Sequence, residues 1–365
     1  MVSPAAAPTR SRRFAVARFC LGLALGGLVL WALNGQRGEL IGASKALSHL
    51  RLGWLFVAAA FEVASFVCFG LLQRRLLRAG GVRVSAAFAT LLTLAAGALA
   101  NSVPAGPAFA SVYAFRRYRR KGADDALALW VLLATLVCAA LGLGLVATAG
   151  VALAVEESTS YDLVGVVLGV LVISLVADAV VWQRRWLAHV VVVLLSALRR
   201  LTGRPRREAV HIVADLLERL TAVQLGWRDL GATVLAAVGN WAFDCGALTA
   251  CFLAVGAPVP WRGLLIAYGA AQLAANLPIT PGGLGVVEGS LTVALVAFGG
   301  SELSTVTAVL CYRIVSFWGY LPVGWLTFAV LAVADRRADR ARAHFAAHLG
   351  EVGAVTSLSP EEVAR

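Results

Sequence analysis

The 365-residue chain is 60% hydrophobic and only 14% charged, with a mean hydropathy of +0.81, so it lacks the polar surface that a soluble fold of this length needs. The 32 basic and 20 acidic residues leave a net charge of +12, but the arginines fall in short stretches between apolar runs. That pattern marks cytoplasmic loops beside anionic lipid and argues against a nucleic-acid partner.

The apolar runs are continuous, which excludes a membrane β-barrel with its alternating strands. The fold class is therefore an all-α polytopic membrane protein. The chain opens on a basic tail, residues 1–13, and a first span at about 14–33 that reads as an uncleaved signal anchor. A second span, "LGWLFVAAAFEVASFVCFGLL", carries Glu62 at its middle and returns to the basic stretch "QRRLLRAGGVR". The next apolar region, Val84 to Phe115, is basic at both ends and broken at "ANSVPAGPA". Both flanks then belong on the cytoplasmic side, and the simplest path is a hairpin that enters and leaves from there. Arg116 and Arg117 follow it as topology anchors or as contacts to a lipid phosphate.

Residues 126–155 cross outward to "EESTSYD", and residues 163–182 cross back to an Arg-rich linker, 183–228, with the spacing of an amphipathic interfacial helix. A span at 230–255 carries Asp244, with Asn240 one turn before it. Residues 263–298 contain "NLPITPGGLGVVEG", and the last span, 305–334, carries Arg313 before a basic cytoplasmic tail at 336–365. If 263–298 is a second hairpin, entered from outside, every arginine cluster lies on the cytoplasmic side. The expectation is six full transmembrane helices plus two re-entrant hairpins, both termini being cytoplasmic; the rival topology is eight full spans. The membrane domain covers 14–335, in halves of about 14–155 and 163–335. "LLTLAAGALANSVPAGPAFA" and "LLIAYGAAQLAANLPITPGGLG" share an Ala-Asn pair followed by prolines, which points to an inverted repeat that aligns Asn101 with Asn276.

A break in hydrocarbon survives only where it lines a polar cavity or is covered by protein, because each unpaired backbone amide costs several kcal/mol there. Pro278 and Pro281 end one half-helix, and Gly282, Gly283 and Gly285 turn the chain. The restarting half-helix then aims its positive end at the membrane interior, a site for a phosphate. Charged residues inside spans are expensive and usually functional. Glu288 and Arg313 are expected to pair across the chamber, with Arg313 also available to a phosphate, while Glu62 and Asp244 are candidates for coupling. The six cysteines (Cys20, Cys68, Cys138, Cys245, Cys251, Cys311) read as small hydrophobes, and His344 and His348 as a solvated face. No catalytic or metal-binding group and no cofactor is indicated.

"NLPITPGGLGVVEGSLTVALVAFG", followed by "CYRIVSFWGYLPVG", resembles the lysylphosphatidylglycerol synthetase transmembrane-region family, also called the flippase-like domain family. The resemblance covers roughly residues 14–335 and implies movement of lipids between leaflets. It places Pro278, Pro281, Gly282, Gly283, Gly285, Glu288 and Arg313 at the family's motif positions. The first-half motif departs, reading Gly106-Pro107 where the family typically has Gly-Glu, and the family's Glu-Arg pair is missing from "DALALWVLLATLV". The aminoacyl-transfer domain of the full synthetases is not expected here.

The function expected is a membrane lipid translocase for a phosphate-bearing phospholipid or polyprenyl-phosphate lipid, in a bacterial inner membrane. The alternatives are an accessory scaffold partnering envelope-synthesis enzymes, a small-solute transporter, and a polyprenyl-phosphate-dependent glycosyltransferase. The last would have to use Glu156, Glu157 and Asp162 on a short outer loop.

Overall fold

A computed structural model describes residues 50–103, 106–155, 226–275 and 281–356. The expected first span, the span at 163–182, the linker to residue 225, Asn276 and Pro278 lie outside the described residues. From Arg51 onward the described residues belong to one structural unit, and all of its secondary structure is helical.

The helices are α1 (Leu52–Ala79), α2 (Ala86–Ser102), α3 (Gly106–Arg120), α4 (Asp125–Val155), α5 (Trp227–Val255), α6 (Trp261–Ala275), α7 (Val286–Ala297), α8 (Glu302–Arg313) and α9 (Tyr320–Thr356). A 3₁₀ turn at Pro281–Gly283 precedes α7, and a π-helical segment, Ile314–Gly319, joins α8 to α9 without a break. Four stretches among the described residues are long and apolar enough to cross a membrane: Leu52–Ala79, Asp125–Leu153, Trp227–Val255 and Glu302–Arg340. The chain is a multi-pass membrane protein.

The four shorter helices form two pairs. Helices α2 and α3 have 17 and 15 residues, and α6 and α7 have 15 and 12; a crossing needs about 20. Each pair packs limb against limb. In the second, the outer ends meet, because a Cβ on Gly263 would lie 2.0 Å from the Phe298 ring. In the first, Gly106 backs so closely onto the Ala100 carbonyl that a Cβ would come within 1.9 Å of it. Only glycine permits so tight a reversal.

The contacts also fix which ends lie together. The Arg51 N–H donates to the Ala254 carbonyl at 2.9 Å, so α1 begins where α5 ends, and these two long helices run antiparallel in extensive contact. At the opposite end, Leu72, Leu76, Leu77, Leu92, Tyr118, Trp130 and Val131 form a buried base. The end of α1, the open end of the α2–α3 hairpin and the start of α4 meet there, and the buried Tyr118 hydroxyl donates to Gln73 at 3.0 Å. Arg117 pairs with Asp335 of α9 at the same end. The clusters at 74–78, 116–120 and 336–340 therefore share one side, and the α6–α7 hairpin opens on the other. The two hairpins open toward opposite ends of the bundle.

One numerical relation runs through the elements. Helices α1, α2 and α3 begin at 52, 86 and 106, and α5, α6 and the 3₁₀ turn begin at 227, 261 and 281, each displaced by 175 positions. Ser65 Oγ donates to Asn240 Oδ1 at 3.1 Å between residues separated by that same 175.

Candidate functional site

The hairpin tips meet. Helix α2 contacts the 3₁₀ turn, and a Cβ on Gly282 would stand 3.2 Å from Asn101 Oδ1 and 2.2 Å from Phe317 Cε2. Gly282 and Gly283 have φ of 63° and 67°, and Gly285 has φ 81°, a left-handed backbone that side chains disfavour. This is how the chain turns within a few residues to start α7. Asn101 Nδ2 donates to the Tyr320 hydroxyl on α9, so the first tip is tied to the last crossing.

Arg313 binds the second tip. Its Nε donates to Glu288 Oε1 at 2.6 Å and its Nη2 to the Gly282 carbonyl at 3.2 Å. The guanidinium lies over the Phe317 ring at 4.4 Å, and the residue is only 8% exposed. Glu288 Oε2 accepts the Gly285 N–H at 2.7 Å, where the unpaired amides of α7 gather the positive end of its dipole. Glu288 therefore sits on the anion position expected at this half-helix and fills it with its own carboxylate. The π segment matters here, since such bulges re-aim side chains at functional positions. It follows Arg313 directly and carries Phe317 back against it, with Tyr320 just beyond.

Below this lies a second polar layer. Asp244 accepts from three donors: the Tyr268 hydroxyl at 2.6 Å, the Tyr312 hydroxyl at 2.7 Å and Gln272 Nε2 at 3.3 Å. Glu62 on α1 faces it and is 7% exposed, and its Oε1 has no hydrogen-bond partner among the described residues. Asn240, one turn before Asp244, accepts a hydrogen bond from Ser65.

Of the residues singled out from sequence, the structure brings Asn101, Gly282, Gly283, Gly285, Glu288, Arg313, Glu62 and Asp244 to one region. Pro281 opens the 3₁₀ turn. Arg116 and Arg117 stand apart at the basic end: Arg116 is exposed, while Arg117 is buried, donating to Asp335 and to the Leu331 carbonyl at 3.2 Å. Sequence reasoning passed over Tyr268, Gln272, Tyr312, Phe317 and Tyr320. Tyr268 and Gln272 are polar residues four apart in an apolar helix, so they share a face, and that spacing was a usable signal. The five described cysteines are free, four of them buried. No cluster among the described residues could hold a metal ion.

Residues 15–324 match the family described as lysylphosphatidylglycerol synthase TM region, and the chain belongs to that family. It is also similar to proteins described as UPF0104 membrane protein from Methanothermobacter thermautotrophicus. One match is 28% identical over 120 residues, 30% of this chain and 36% of the relative. The other is 48% identical over 63 residues, 17% of this chain and 18% of the relative. The matched segments thus span about a third or less of those relatives.

Proposed function

We propose that this member of the lysylphosphatidylglycerol synthase TM region family is a lipid translocator, carrying a phosphate-bearing headgroup through the chamber where the hairpin tips meet. The observation that carries this reading is the seat of Glu288. One of its oxygens is held by the Arg313 guanidinium and the other by the Gly285 N–H. A phosphate presents the same pair of acceptor oxygens, and arginine matches that geometry. Glu288 is the internal stand-in for substrate; a headgroup displaces it and takes over both donors.

The rest of the cycle follows from the fold. By the positive-inside rule the basic end is cytoplasmic, so α2–α3 opens to the cytoplasm and α6–α7 to the opposite side. The displacement by 175 positions and the opposed hairpins support two inverted halves, which by symmetry exchange conformations about a central site. The expected pair of crossings at 14–33 and 163–182 would bring the total to six. Rocking of the halves exposes the tips alternately while the apolar tails remain in lipid. No covalent step is involved, and the setting is the inner membrane of a bacterium.

The test is headgroup accessibility in reconstituted vesicles. Wild type should speed the exchange of a labelled phosphate-bearing lipid between leaflets, and Arg313→Ala should abolish the gain. Equal rates for wild type, Glu288→Ala and Arg313→Ala would remove these residues from the mechanism. No acceleration by wild type for a phospholipid or a polyprenyl phosphate would reject the translocator reading.

A further inference from the structure

Anion binding uses Arg313, Glu288 and the α7 terminus, yet the layer beneath it is equally built and has no part in that step. Its charges do not balance. Glu62, Asp244 and Glu288 converge on a region where Arg313 is the cation, and Arg313 is committed to Glu288. Asp244 has all the marks of a fixed carboxylate, with three donors spread over both oxygens. Glu62 has none of them. It is more than nine-tenths buried, and one oxygen lacks any partner among the described residues. It lies one turn from Ser65, whose hydroxyl bonds Asn240, one turn before Asp244 on the antiparallel α5, so the two carboxyls face each other. A buried carboxyl with an unpartnered oxygen, facing a second carboxylate, is held neutral by a proton, because its charged form has neither water nor a donor to offset its burial. With Asp244 saturated by donors, the group that brings the proton is Glu62.

We propose that Glu62 is the proton-carrying residue of the translocator, donating to Asp244 when protonated and exchanging that proton in step with the anionic headgroup at Arg313. The groups facing Glu62 are Asp244 and Cys251 from α5, Tyr312 and Arg313 from α8, and Tyr320 from α9. Among them only Arg313 is a cation, and its state changes in the cycle. A headgroup that displaces Glu288 adds one anion to the chamber without adding a cation, so the proton on Glu62 is retained while lipid is bound. When the headgroup leaves, the chamber opens to water and Glu62 releases H⁺. The empty return step is made with Arg313 drawn toward the Glu62 carboxylate. That arrangement is distinct from the one in this structure, in which Arg313 is on Glu288 and Glu62 keeps its proton. Reprotonation from the side that next loads lipid closes the cycle. Lipid anion and proton therefore travel in the same direction. The coupling rests on the translocator reading; the protonated Glu62 does not.

Two measurements separate them. Infrared spectra of the full chain in ester-free detergent at neutral pH should show the deuterium-sensitive C=O stretch of a protonated carboxylic acid. That band should disappear in E62Q, shift in Asp244→Asn, which changes its acceptor, and persist in Glu288→Gln. A wild type and E62Q with identical spectra would overturn the assignment. In vesicles, acid on the side where labelled lipid starts should speed its movement several-fold, and the reversed gradient should slow it. Movement that ignores the gradient, or follows Na⁺ in place of H⁺, would overturn the coupling. Absence of any movement would sink the translocator reading and the coupling with it, leaving the infrared band to decide Glu62.

Discussion

Substituting the glycines at the second tip one at a time measures how closely the two tips are pressed together. At Gly282 an alanine meets two penalties. The backbone at φ 63° and ψ 17° disfavours a Cβ by about 1–2 kcal/mol. The new carbon would also lie 2.2 Å from Phe317 Cε2, a ring that is 3% exposed, sits under the Arg313 guanidinium and meets Trp318 edge-on at 5.2 Å. It has nowhere to swing, and such overpacking costs about 1–3 kcal/mol. The sum is about 2–5 kcal/mol. Gly285→Ala meets no atom within 4 Å, although its φ is 81°, so only strain of about 1–3 kcal/mol remains. Gly289 is helical and also open, and alanine there should stabilise by about 0.5–1 kcal/mol. Unfolding in mild detergent, followed by tryptophan fluorescence, should rank Gly289→Ala above wild type, then Gly285→Ala, then Gly282→Ala. If Gly282→Ala proves as stable as Gly289→Ala, the contact between Asn101, Gly282 and Phe317 is wrong.

Arg313→Ala should destabilise by about 3–5 kcal/mol by stranding Glu288. The Glu288→Ala/Arg313→Ala double variant should unfold less easily than Arg313→Ala alone, and a double-mutant cycle checks it. Tyr268→Phe and Tyr312→Phe each remove one donor from Asp244, for a loss of about 1.5–3 kcal/mol apiece; denaturation of the two singles and the double should show the second removal costing more than the first. At the basic end, Arg117→Ala should lose about 1.5–3 kcal/mol, because its hydrogen bonds are buried. Arg120, whose side chain is 49% exposed beside Asp335 and Asp339, should lose less than about 1 kcal/mol on truncation. The difference should persist in high salt, which screens only the exposed pair.

The membrane class, the two breaks and the Glu288–Arg313 pair were legible because each violates what hydrocarbon demands: an unbroken, uncharged helix. Proline and glycine clusters announce themselves, and so do buried charges. Hydroxyls do not. Tyr268, Tyr312 and Tyr320 are common in apolar helices, and nothing in their spacing says that two of them aim at Asp244 while the third holds Asn101. The π segment was invisible for a related reason. "IVSFWG" has no proline, and its one glycine comes only at its end, so nothing in its composition marks a widened turn. Arg117 shows the converse. A run of basic residues reads uniformly as a topology anchor, but only tertiary contact separates the buried Arg117 from the exposed Arg116 beside it.

Segments 175 positions apart share their helix starts but not a chemistry. At the displacement of 175, Asp244 falls on Phe69, and Tyr268 and Gln272 fall on Thr93 and Gly97. The charged and donor residues are thus concentrated in the second half, with Glu62 and Asn101 as the first half's contribution. Gly97 lies where a Cβ would be 3.5 Å from the Tyr320 hydroxyl, so the first hairpin serves chiefly as a close-fitting wall. If the halves do exchange conformations, the cost of burying charge differs between the two end states, because only the second hairpin carries an ion at its tip, Glu288. A symmetric frame with an asymmetric charge load has a preferred resting side, and a bound anion together with a proton at Glu62 is what offsets that preference. On the proposed cycle, coupling is then a consequence of where the charges sit, with no separate gate required.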